Sequence, residues 1–149
     1  MADTGIQIPT DFAYETKFPV RHADARSAIT ASGAYVSHVT YENMVLLVNE
    51  AFDLFLSSTG DSKWNIAGSN IIVPKMEVEF KSEVKAGEVL TFQLTPTNFG
   101  NKSFELITVV KKENGEIASV AKTVLIFFDY KDKKTMNVPE TFRNRYSVK

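Results

Sequence analysis

The hydrophobic pattern of this chain changes period once, and that change limits what it can fold into. From about Thr40 to Ser58, apolar residues recur at helical spacing. Thr40 suits an N-cap and Gly60 a stop. Downstream the spacing becomes two. In "IIVPKMEVEFKSEV", Met76, Val78 and Phe80 alternate with Lys75, Glu77, Glu79 and Lys81, the mark of a half-buried antiparallel strand. Pro74 donates no ladder bond and would be awkward in a fully paired central strand. "VLTFQLTPT" puts Leu90, Phe92 and Leu94 on one face, and "SFELITVVKK" follows after a loop. Asn114-Gly115 is a strong hairpin signal. "IASVAKTVLIFFDY" is apolar on both sides towards its end, which predicts a central strand.

Upstream, "ETKFPVRHADARSAIT" reads as one extended strand, preceded by an irregular arm over residues 1–15. "VPETFRNRY" reads as a short helix or a tail. The expectation is one α+β domain over residues 1–149. It holds the arm, a helix over 40–58, antiparallel strands within 70–130, and a C-terminal tail over 131–149.

The helix carries the sharpest constraint. With Val48 as reference and 100° per residue, Tyr41, Met44, Val45, Ala51, Phe52 and Phe55 fall within about 60° of it. Leu46, Leu47, Leu54 and Leu56 lie outside that stripe. A helix this apolar is covered on more than one side, either by a sheet that curls around it or by a second subunit.

Composition removes several alternatives. The 17 Lys+Arg balance 18 Asp+Glu, so nothing favours nucleic acid or an anionic membrane as partner. The basic clusters "KDKK" and "RNR" read as solvated surface. There are no cysteines, which excludes disulfides, thiolate metal sites and a cysteine nucleophile, and two histidines argue against a metal cluster. No apolar run is long enough to span a bilayer, and "MADTGIQIPTDF" is not a signal peptide, so a cytoplasmic location is expected.

The order and spacing of several segments resemble the hot-dog fold of the acyl-CoA thioesterase superfamily, in its 4-hydroxybenzoyl-CoA thioesterase-like branch. "SHVTYENMVLLVNEAFDLFLSSTG" resembles the segment in which Gly-His-Val-Asn-Asn leads into a helix bearing Glu-Ala-Arg and ending in Leu-Gly. "NIIVPKMEVEFKSEVKAGEVLTF", "GNKSFELITVV", "IASVAKTVLIFFDYKDKK" and "NVPETFR" resemble the later strands and tail. The resemblance spans roughly Phe18 to Tyr146. It implies a curled antiparallel sheet around a central helix, with subunits joined edge to edge as a homodimer and in many members as a tetramer. It also implies that an acyl-CoA or acyl-carrier-protein thioester is cleaved by carboxylate-assisted water near the helix N-terminus. No metal or cofactor is implied; coenzyme A enters as part of the substrate.

The usual catalytic position carries no carboxylate. The resemblance implies a catalytic Asp four residues before the His, as the second Asp of Asp-x-Asp; counted back from His38 that position is Ala34, with Ser32 at the first Asp position. With an insertion allowed, Asp24 takes the first Asp position and Arg26 the catalytic one. The family's Asn-Asn becomes Thr40 and Tyr41, and the Arg of Glu-Ala-Arg becomes Phe52.

Glu50 and His38 are therefore the leading candidates. Glu50 lies about 160° from the stripe centre, with Asn43 two turns earlier on the same face. In an apolar interface it would have a raised pKa and serve as base or nucleophile; on an open surface it is solvated or ion-paired. His38 precedes the helix, where it can orient water beside first-turn N–H groups that hold an oxyanion, or simply fix the loop. Glu42 suits the helix dipole and Asn43 can donate to a carbonyl. Thr40 and Tyr41, with Gly100, Asn101, Lys102 and Ser103, are the substrate-binding candidates that the resemblance implies. The alternative function is an acyl-thioester binding protein that kept the pocket and lost catalysis. A hydratase of this fold would need a paired Asp and His in a short motif, which the chain lacks.

Overall fold

The period-two stretches downstream of Gly60 become four long strands of one antiparallel sheet in a computed structural model, which describes residues 5–147. These are β4 (Asn70–Phe80), β5 (Val89–Thr97), β6 (Ser103–Lys111) and β7 (Ile117–Asp129). They follow β1 (Tyr14–Pro19), β2 (Ala25–Ile29), β3 (Tyr35–Val39) and the helix α1 (Tyr41–Ser57), and precede the two-residue β8 (Lys134–Thr135) and the helix α2 (Glu140–Tyr146). The main sheet runs β1-β5-β6-β7-β4, with β8 paired to β7. It curls around α1, and the architecture is a hot-dog fold.

β7 lies between β6 and β4, as its two-sided apolarity requires. β4 is an edge, and its register slips between Ile72 and Lys75, where Pro74 cannot donate. At the β6–β7 turn, Lys112 N–H bonds the Glu116 carbonyl at 2.9 Å, and Gly115 takes a φ of +88° that a side chain would resist.

The segment read as one extended strand is broken in two. β1 pairs with β5, from Tyr14 opposite Leu94 to Pro19 opposite Val89. The chain then turns through a short 3-10 segment at His22–Asp24, and β2 leaves the sheet to form a separate ribbon with β3. The cause is local. The Asp24 carboxylate accepts from the Arg21 backbone N–H at 2.9 Å and from Nη2 at 2.8 Å, closing a turn that alternation does not reveal. β3 itself was not anticipated. The C-terminal stretch is more than a tail: Phe142 of α2 is 1% exposed and packs 4.9 Å from Phe104 and 5.7 Å from Phe127, centroid to centroid.

The buried residues of α1 are Met44, Leu47, Val48, Ala51, Phe52, Phe55 and Leu56. They cover about half the helix circumference, wider than the expected stripe, because the sheet curls. Opposite them stand Leu90, Phe92, Leu94, Leu106 and Leu125, all essentially inaccessible. Each such side chain contributes about 1.5–3 kcal/mol of burial. Tyr41 departs from the expected stripe. It opens the helix beyond the core, is 68% exposed, and meets Phe80 edge-on at 6.4 Å.

Candidate functional site at the start of the central helix

The ribbon delivers His38 to the mouth of α1. Its last residue, Val39, donates its N–H to the Val84 carbonyl at 2.8 Å, tying β3 to the β4–β5 connection. The other leg is tied to the helix itself, where Asn43 Nδ2 donates to the Asp24 carbonyl at 2.7 Å. Arg26 stands opposite His38 in the ribbon, and its Nη2 lies 3.0 Å from Glu42 Oε1. Both legs of the ribbon thus end on the first turn of α1.

A crevice of about 590 Å³ opens there. His38, Thr40, Tyr41, Glu42 and Glu83 supply its polar rim, and Met44, Phe80, Val84 and Ala118 its apolar wall. His38 Nδ1 is 3.6 Å from Glu83 Oε1, an ion-pair distance longer than a hydrogen bond. Thr40 occupies the N-cap position without donating a side-chain cap; its hydroxyl is 3.4 Å from Glu42 Oε1. The first-turn N–H groups therefore meet no cap acceptor and add the positive end of the helix dipole to the crevice.

Glu50 lies elsewhere. It lines a second crevice of about 590 Å³ with Phe18, Arg21, Asp24, Leu46 and Asn49. Eight residues separate it from Glu42, about 12 Å along the helix. Within one protomer, His38 and Glu50 do not meet. The face carrying Glu50 is open, for Leu46 beside it is 64% exposed. The hydrogen bond from Arg21 holds the Asp24 carboxyl below the usual range, against burial, and the same contact pushes the Arg21 guanidinium up. That places Asp24 as a structural anion.

One of the two registers for the catalytic position puts it far from the helix. Ser32 and Ala34 lie in the ribbon's turn, closed by Thr30 N–H to the Ala34 carbonyl at 2.8 Å. Asp24 and Arg26 lie at its base, against the first turn of α1. In the register with an insertion, the residue at the catalytic position is a cation, Arg26, paired with Glu42.

Gly100, Asn101, Lys102 and Ser103 are at the opposite end of the sheet. Ser103 pairs with Ile126, whereas Phe80 at the crevice pairs with Ser119. The seven residue steps from Ser119 to Ile126 amount to about 24 Å of strand. The loop is braced instead by the C-terminal segment, with Val138 N–H on the Asn101 carbonyl at 2.9 Å and Lys102 Nζ on Thr135 Oγ1 at 3.2 Å. Glu83, Phe80 and Val84 were missed as site residues, since nothing local in "EFKSEVKAG" distinguishes a strand end from a pocket wall. Among the described residues, no group of three or more His, Asp or Glu side chains is arranged to hold a metal ion.

Comparison with known proteins agrees with this architecture. The structure is similar to a hypothetical protein from Staphylococcus aureus solved in complex with CoA, with TM-score 0.75 and 17% identity over 95% of this chain and 85% of that one. It is similar to a 1,4-dihydroxy-2-naphthoyl-CoA thioesterase from Synechocystis, with TM-score 0.72 and 18% identity over 89% and 93%. A probable thioesterase from Escherichia coli gives TM-score 0.70 and 18% identity over 88% and 94%. A search among curated proteins finds no match. The family model of the thioesterase-like superfamily matches residues 20–146, most of the chain including the ribbon, the central helix and every strand of the sheet but β1, and the chain belongs to that superfamily.

Proposed function

We propose that the chain hydrolyses an acyl-CoA or acyl-carrier-protein thioester in the crevice at the start of α1. The carrying observation is the convergence there of a helix N-terminus without a side-chain cap, His38, and the carboxylates of Glu42 and Glu83 around an apolar wall. Membership of the superfamily supports thioester hydrolysis, and the CoA-bound Staphylococcus aureus relative supports a CoA thioester as substrate.

The acyl group lies against Met44, Phe80 and Val84, and the thioester carbonyl points at the first-turn N–H groups. His38, with Glu83 on the Nδ1 side of its ring at 3.6 Å, takes a proton from water as the water oxygen attacks the carbonyl carbon. The N–H groups hold the resulting oxyanion. The C–S bond then breaks, the imidazolium returns its proton to sulfur, and the acid and free thiol leave. Arg26 fixes Glu42 at the rim. Glu50 joins the site only where a second copy, edge to edge, brings its crevice against the first.

The test is thiol release from a panel of acyl-CoAs. His38→Ala lowers kcat/KM at least tenfold, the size of one lost acid–base group. An equal loss in Glu50→Gln shows a site built across subunits. The second reading, an acyl-thioester binding protein, draws on the lack of a carboxylate at the usual catalytic position in either register, and on Arg26 engaging Glu42. Acyl-CoA binding without any thiol release establishes it.

A further inference from the structure

The concave face of the sheet holds α1, but its convex face is also apolar. Ile107 and Val109 of β6 and Val120 of β7 point outward and are 4%, 0% and 0% exposed, with Ile117 half-buried beside them. What covers them is the segment before β1. Ile6 is buried on this stripe, and Phe12 packs against it. Inward residues of that segment recur every third position, Ile6, Pro9 and Phe12, as suits an extended polyproline-like run. Ile8, between the anchors, is 42% exposed. Where the segment meets β1, Ala13 donates its N–H to the Leu94 carbonyl at 3.0 Å, and beside Gln7 and Pro9 a cleft of about 430 Å³ opens towards Thr97, Asn98 and Lys122.

We infer that residues 5–12 are an intramolecular cap that keeps the convex face from a second copy of this chain. Uncapped, Ile107, Val109, Ile117 and Val120 form a contiguous apolar stripe on a sheet, a surface that stacks face to face on another sheet. The stripe is bordered by Glu105 and by Lys122, which lies 3.8 Å from Glu77. A copy related by a two-fold axis therefore meets mixed rather than like charge. The cap bears on assembly alone and stands independently of the proposed reaction.

The experiment compares the full-length chain with Ile6→Asp and Ile8→Asp by light scattering after size exclusion, across a concentration series, with limited proteolysis of the first twelve residues in parallel. Ile6→Asp releases the cap. The particle mass doubles relative to the parent and cleavage before Ala13 accelerates at least tenfold, while Ile8→Asp matches the parent in both. In the double variant Ile6→Asp/Val109→Lys, cleavage stays fast and the mass returns to that of the parent, because the stacking surface is gone. The inference is overturned if Ile6→Asp keeps the parent's mass although its N-terminal segment is cleaved faster. It is equally overturned if cleavage does not accelerate, or if Ile8→Asp raises the mass as much.

Discussion

Replacing Asp24 by Asn tests whether one carboxylate creates the turn that separates β1 from the ribbon. The side chain accepts from the Arg21 backbone N–H at 2.9 Å, Nε at 3.2 Å and Nη2 at 2.8 Å. Net hydrogen bonds contribute about 0.5–1.5 kcal/mol each, more when charged. The Arg21 side chain, however, is 74% exposed, so solvent screens much of the charged part. The expected loss in Asp24→Asn is therefore about 1–2 kcal/mol at pH 7. The sign with pH follows from the depressed carboxyl of Asp24, set first by the Arg21 hydrogen bond. A folded-state pKa below the unfolded value of about 3.9 gives stability that is present above that value and lost as pH falls through the folded one. Urea denaturation of both proteins at pH 7 and at stepwise lower pH reads this directly. The gap should close below about pH 4 as the parent loses what the variant never had. A gap that persists in acid, or none at pH 7, refutes the reasoning.

Other consequences are as concrete. Phe142→Ala empties the aromatic cluster that docks α2 and should cost about 3–5 kcal/mol in chemical denaturation. Thr108 is wholly buried with a hydroxyl that has no partner among the described residues, so Thr108→Val should stabilise by about 1–2 kcal/mol, seen as a higher Tm. Gly60 ends α1 at a φ of +81°, and Gly60→Ala should cost about 1 kcal/mol by the same measurement. Asn43→Ala unties the ribbon from α1; thiol release should fall, whereas an unchanged rate would show that His38 is held by the Val39–Val84 bond alone.

The amino-acid order determined the parts whose physics is periodic. The wide apolar arc of the helix required cover on more than one side, the alternation of Met76, Val78 and Phe80 marked a half-buried antiparallel strand, and Asn114-Gly115 marked a turn. Resemblance then supplied the hot-dog fold. Only the tertiary structure decided which polar groups meet. Arg21 and Asp24 divide a stretch that pattern alone leaves continuous. The ribbon carries His38 to Glu83 across some forty-five residues of sequence, while Glu50, twelve residues from His38, ends in another crevice. A hydrophobic period reports which side of an element is covered, because burial repeats with the backbone geometry. The meeting of two side chains from different elements depends on how those elements cross, and no local period encodes that.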